Sequence, residues 1–210
     1  MTMTNSTNLD PVKAYFEERI AAHGISACGA DWNSDASQEI RFDQLLKIID
    51  PSMPFSILDY GCSYGALADH LIKKELRADY HGYDIVEKVI AAAREHHAGK
   101  ANHIFYSDKN LLPVCDYVVA SGIFNFRADH SFEAWNDYVL NVLHHFDSLS
   151  RKGFASNFLT KYSDADRMRA DLYYADPGFL FDYCKRKFSI NVALLHDYQL
   201  YDFTLLVRKG

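Results

Sequence analysis

The sequence has no Cys-x-x-Cys pair, no internal repeat, no low-complexity stretch and no excess of positive charge. Its four cysteines, Cys28, Cys62, Cys115 and Cys184, are too dispersed for a zinc knuckle or a thioredoxin-like motif, so four buried thiols are expected. No apolar run approaches the roughly 18 residues that suggest a membrane span. Met1 to Asp10 is polar, with neither a basic nor an apolar signal region, which makes the cytoplasm the expected compartment. Asn5-Ser6-Thr7 matches a glycosylation acceptor but is read as chance in that setting. With 22 Lys+Arg against 28 Asp+Glu, the net charge of −6 lacks the general footprint of a nucleic-acid binder.

What is present suits a folded α/β protein. Of the 210 residues, 49% are hydrophobic and 24% charged, enough to support one core without staples. Asp10-Pro11 reads as a cap and first turn for a helix carrying Val12, Tyr15, Phe16 and Ile20 on one face. Asp35-x-x-Gln38 reads as a capping-box variant opening a second helix with Phe42, Leu45, Leu46 and Ile49, ending near Asp50-Pro51. The apolar faces of these helices either cap a site or form a homodimer surface.

From Phe55 the rhythm changes. Strands are expected at Phe55–Asp59, Ala78–Tyr83, His103–Tyr106, Tyr117–Ala120 and Gly153–Phe158, alternating with helical patterns that imply parallel crossovers. Asp176-Pro177 should cap a short helix to about Cys184. Ile190–Leu195 and Phe203–Val207 then lie close enough to form only an antiparallel pair. The expected fold is a doubly wound, Rossmann-like seven-stranded sheet with a C-terminal antiparallel hairpin and an N-terminal helical cap. One domain is expected over residues 1–210, with the cap at 1–50 and a cofactor-binding core at 51–210.

The first strand runs into Asp59-Tyr60-Gly61-Cys62-Ser63-Tyr64-Gly65, where glycines let the backbone turn sharply at a helix N-terminus. Asp84 ends the second strand 23 residues after Gly61, a spacing suited to a carboxylate that accepts ribose hydroxyls. Together they indicate an adenosine-containing ligand. A nicotinamide dinucleotide fits less well, because Gly61-x-x-x-Gly65 does not supply the Gly-x-Gly-x-x-Gly register.

On these residues the sequence resembles the class I S-adenosylmethionine-dependent methyltransferases over about residues 50–210, with Ser63 in place of the middle glycine. The resemblance implies S-adenosyl-L-methionine as cofactor and S-adenosyl-L-homocysteine as product. It implies contacts from Asp59, Gly61, Cys62 and Tyr64, a ribose-binding Asp84, Ile85 beside the adenine, and an adenine-amino contact at Ser107-Asp108. Ser121-Gly122 would lie under the methionine end. Trp32 to Phe42, Ser121 to Asn125, Asn157 to Leu159 and His196 to Thr204 also resemble a group of small bacterial methyltransferases. That likeness implies Trp32 against the cofactor, with Ser37 and Arg41 on one helix face and Arg41 on the methionine carboxylate.

Methyl transfer from a sulfonium needs mainly alignment and exclusion of water. Where a base is needed, His196 and Tyr162 are the candidates, with Tyr198 or Tyr201 as hydrogen-bond partners. Asn125, Asn157, Tyr174, Tyr198 and Tyr201 are the candidate acceptor-binding residues. His96-His97 and His144-His145 are read as solvated faces and no metal site is expected, since helical neighbours diverge. A small-molecule acceptor is the leading expectation, with no membrane partner. The alternatives are protein or peptide methylation, nucleic-acid methylation, disfavoured by the absence of an Asn-Pro-Pro-Tyr type segment at 121–125, and a non-catalytic cofactor-binding partner subunit.

Overall fold

The computed structural model describes residues 7–210, so Asn5 and Ser6 of the glycosylation-like triplet lie outside the described residues. Two helices come first, α1 (Asp10–His23) and α2 (Asp35–Leu46). Then β1 (Phe55–Tyr60), α3 (Ala66–Lys73), β2 (Ala78–Tyr83), α4 (Glu87–His96), β3 (His103–Tyr106) and β4 (Cys115–Ala120) alternate. A long helix, α5 (Phe132–Leu149), leads into β5 (Ser150–Thr160). The chain closes with β6 (Tyr174–Ala175), α6 (Pro177–Lys187), β7 (Asn191–Leu195) and β8 (Asp202–Arg208).

The sheet order is β3-β2-β1-β4-β5-β8-β7, with β6 paired to β5 off this path. β1 to β5 run parallel, while β8 is antiparallel to both β5 and β7. This is the expected doubly wound sheet with its terminal hairpin. The winding reverses between β1 and β4, and a crevice opens beyond their carboxyl ends at such a point.

Alternate strand residues serve opposite faces. Leu58 and Val118 pack with Trp135, Val139 and Phe146 of α5 and Leu180 of α6. Ile57 and Val119 pack with Phe42 and Leu45 of α2, Leu67 of α3 and Ile90 of α4. Trp135 is fully buried and its indole N–H donates to the Phe124 carbonyl at 2.8 Å, so a polar atom inside the core is satisfied.

Several local expectations are corrected. Leu9, not Asp10, is the N-cap of α1, so Asp10 sits in the first turn, where its charge favours the helix dipole. Ser34 caps α2 by accepting the Ser37 amide at 3.2 Å, one residue before the expected Asp35, and the helix stops at Leu46. Asp176 caps α6 as expected, accepting from Gly178 and Phe179. Cys28 is exposed, whereas Cys62, Cys115 and Cys184 are buried. His97 is buried and His145 half-buried, so neither histidine pair is a fully solvated face.

Candidate active site

The crevice is built from the β1–α3 turn upward. Gly61 and Gly65 take φ of +85° and +88°, conformations that a Cβ disfavours. Ser63 shares the left-handed region at φ +48°, a strain of about 1 kcal/mol held in place by its amide, which donates to Asp84 Oδ2 at 2.9 Å. The Gly61 and Cys62 amides both donate to the Tyr83 carbonyl, at 2.7 and 2.8 Å. The turn after β1 therefore hangs on the end of β2.

Asp84 closes this arrangement, its Oδ1 accepting the Val86 amide at 2.9 Å. Burial raises its pKa, while the amides of Val86, Ser63 and Ile85 pull it down. Asp59, at the end of β1, is almost fully buried and accepts the Tyr80 hydroxyl at 2.7 Å. Burial pushes its pKa up to about 7, with the Asp84 charge adding to the rise and the Tyr80 bond opposing it. Burial also holds the Cys62 thiol well above its ordinary range, so it is protonated and unreactive.

Across the crevice, the chain leaving β4 turns at Gly122, φ +74°. Its amide donates to Asn157 Oδ1 at 2.7 Å, and Asn157 Nδ2 reaches Ser121 Oγ at 3.4 Å. A Cβ on Gly122 would come within 2.4 Å of the Trp32 ring, and one on Gly61 within 2.2 Å of Ile123. Trp32 thus packs directly on the β4 turn. Behind it the Arg41 guanidinium lies 4.4 Å from the ring centroid and pairs with Asp202 at 2.5 Å, both side chains being buried.

Helix α1 and its N-cap supply the roof, with Leu9 of the cap and Val12, Phe16 and Ile20 of the helix lining the cleft. It is tied down where Tyr15 donates to Asp31 Oδ2 at 2.8 Å, Arg19 pairs with Asp31 at 3.1 Å, and Tyr15 stacks on Phe126 at 3.9 Å. Tyr60, Tyr83 and Tyr138 face the same space from the sheet and α5.

No family model matches the chain. Its sequence is 48% identical over 165 residues to "Putative methyltransferase Rv1506c" of Mycobacterium tuberculosis, covering 79% of this chain and 99% of that protein. The chain belongs to the class I S-adenosylmethionine-dependent methyltransferases. Its fold is similar to the N-methyltransferase NodS of Bradyrhizobium japonicum bound to S-adenosylhomocysteine, with TM-score 0.64, 13% identity, and 96% and 100% of the two chains covered. It is also similar to the 1,6-didemethyltoxoflavin-N1-methyltransferase of Burkholderia thailandensis, with TM-score 0.60, 16% identity, and 99% and 93% covered.

In this methyltransferase, Trp32, Asp59, Gly61, Cys62, Asp84, Ile85, Ser121, Gly122 and Asn125 all line the one cleft. Arg41 does not: its guanidinium is engaged by Asp202, the Ser37 carbonyl and the Trp32 face. The Ser37 hydroxyl turns back to the Ser34 carbonyl, and the Tyr64 hydroxyl to Gln38. Ser107 is exposed, and the Asp108 carboxylate caps the short turn at Lys109–Leu111 through the Asn110 amide.

The expected catalytic pair lies elsewhere. His196 and Tyr162 are exposed side chains facing each other at 6.1 Å between ring centroids, and neither lines the cleft. Tyr198 bonds to Thr204, Tyr174 accepts from the Arg169 amide, and Tyr201 donates to Asp164. Asn157 is fully buried and shapes the β4 turn from behind. Residues not anticipated at the site are Gly29 to Asp31, Tyr60, Tyr83, Ile123, Phe126, Tyr138 and Leu172. The signal for the roof was the Val12, Phe16 and Ile20 stripe, which left cap and dimer surface equally open.

Proposed function

We infer that this methyltransferase transfers a methyl group by in-line displacement to an oxygen, nitrogen or sulfur of a small-molecule acceptor. The supporting observation is the lining of the cleft. Among the described residues, its ionisable liners other than tyrosine and cysteine are Asp31, Asp59 and Asp84, with no lysine, arginine or histidine, under an apolar roof. Such a lining favours a cationic donor and an apolar acceptor body, and lacks the cations that hold a phosphate backbone. The acceptor named for the Burkholderia enzyme, 1,6-didemethyltoxoflavin, is a small molecule, in keeping with this reading.

S-adenosylmethionine supplies an electrophilic methyl carbon when bound. The chain's own residues orient and enclose. Asp84 Oδ2 accepts the Ser63 amide and Oδ1 the Val86 amide, which leaves the carboxylate acceptor capacity for the ribose hydroxyls. Ile85 borders the adenine, and Ser121, Gly122 and Trp32 border the methionine end. Arg41 acts as a positioning residue that holds the Trp32 ring, in place of the carboxylate contact expected of it. Helix α1 excludes water, and Asn125 and Tyr138 offer polar atoms for orienting the acceptor.

Calorimetric titration with S-adenosylhomocysteine, with NAD as control, should show binding of the first alone. Asp84→Asn should weaken it by about 1–3 kcal/mol. Turnover assayed against metabolite, peptide and RNA fractions should appear with metabolites; product formed only with peptide or RNA would overturn the acceptor class.

A further inference from the structure

Asp69 on α3 and the His96-His97 pair at the end of α4 meet on the outer side of the glycine turn. His96 Nε2 is 2.8 Å from Asp69 Oδ2, and His97 Nδ1 is 3.9 Å from Asp69 Oδ1, so one carboxylate faces both rings. The ligand atoms of the three residues lie within 4.8 Å of one another. Consecutive side chains inside a regular helix diverge by about 100°. Here His96 is the last helical residue and His97 has left the helix at φ −97°, ψ 16°, which brings the ring centroids to 4.6 Å with planes at 85°. The sequence expectation of divergence holds within a helix and fails at this end of it.

The packing of His97 settles which nitrogen it offers. Its ring is buried and stacked on Phe105 at 5.2 Å. Nε2 has no hydrogen-bond partner among the described residues and faces Gly65, where a Cβ would come within 2.8 Å. Nδ1 is turned to the Lys100 ammonium, 3.3 Å away, which also lies 3.8 Å from Asp69 Oδ1. An ammonium only donates, so this contact requires a lone pair on Nδ1. His97 Nδ1 therefore already faces a cation, whereas His96 Nε2 donates its proton to the acceptor-only Asp69 carboxylate and must release that proton to solvent when a metal ion takes its place.

We propose that Asp69, His96 and His97 form a three-ligand site for a divalent metal ion of the zinc type, which displaces the Lys100 ammonium. Two imidazoles and one carboxylate are a donor set for Zn²⁺, with water completing a tetrahedron, and suit the oxygen-seeking Mg²⁺ and Ca²⁺ poorly. Lys100 keeps its proton and swings into solvent, so the exchange involves no oxidation or reduction. Because His97 abuts Gly65, the bound ion ties α3 to α4 at the base of the cofactor turn. The site stands apart from the acceptor reading and does not depend on it.

The test is calorimetric titration of Zn²⁺ into the full-length, metal-free protein, with Co²⁺ absorption reporting the geometry. One equivalent should bind with the visible bands of tetrahedral Co²⁺, and thermal unfolding should shift upward. His96→Ala removes an exposed ligand that the fold does not need, and should weaken binding at least about tenfold and abolish the thermal shift. Lys100→Ala should tighten binding, because the competing charge is gone, while His144→Ala should leave it unchanged. Wild-type protein that binds no Zn²⁺, a His96→Ala variant that titrates like wild type, or a Lys100→Ala variant that binds no more tightly would each overturn the site.

Discussion

Along the sheet-side wall of the cleft, from Gly61 to Asn125, main-chain groups are held by hydrogen bonds to Tyr83, Asp84 and Asn157; the helical wall, from Leu9 to Trp32, lines the cleft mainly with side chains. The first wall tolerates almost no change of backbone. The second is set by the Tyr15–Asp31 and Arg19–Asp31 contacts and by an ion pair that reaches across the molecule, Arg41 to Asp202, 161 residues apart in sequence. Trp32 is where the two meet, packed on Gly122 in front and on Arg41 behind. A wall made of amides is specified by local turns, while a wall made of side chains depends on partners far along the chain.

The largest break in that comparison should come from Arg41→Ala. It leaves the Asp202 carboxylate buried without its charge partner, a cost of about 3–5 kcal/mol in the unfolding free energy read by urea titration. Replacing both as Arg41→Met with Asp202→Leu should recover most of it, because no charge is then stranded. Next comes Gly122→Ala on the other wall, at about 2–4 kcal/mol from left-handed strain plus the clash with Trp32. In a Trp32→Ala background the steric part should vanish and about 1 kcal/mol of backbone strain remain. Equal costs in both backgrounds would mean that the two walls do not touch as described.

A smaller effect should come from pH. Asp59 has a folded pKa raised by burial to about 7, so its neutral form is the one the fold prefers. Its contribution is fully present below about pH 4 and is lost as pH rises through 7; between pH 5 and pH 8 the loss is about 2–3 kcal/mol. The ligand-free stability difference between pH 5 and pH 8 should shrink in Asp59→Asn; an unchanged difference would remove Asp59 as its source. The smallest effect is expected from His196→Ala, which belongs to neither wall. Stability should stay within about 0.5 kcal/mol and turnover should match wild type; a large loss of turnover would bring the β7–β8 loop back into the reaction.

β2 and β3 were readable to the residue, because Ala78, Tyr80 and Gly82 alternate with Asp79 and His81 at the strand period, and Ile104–Tyr106 is β-branched and aromatic. The glycine turn and Asp84 were equally readable, since their roles follow from spacing along a few dozen residues. β6, two residues long, carries no period at all. The Arg41–Asp202 pair has no local signature, so Arg41 presented itself as a free cation on a helix face when it is a buried, committed one. Tyrosine abundance could not say which rings turn inward: Tyr60, Tyr83 and Tyr138 do, whereas Tyr162 and Tyr201 stay at the surface.

The suspension of residues 61–63 from Tyr83 and Asp84 also defines what can be exchanged between relatives. The interchangeable part is not the loop after β1 but that loop together with residues 83–86. A chimaera that imports the loop alone brings three amides to a scaffold whose acceptors sit elsewhere. One that imports both segments carries its own scaffolding, and its adenosine pocket should arrive intact in any host sheet of the same winding.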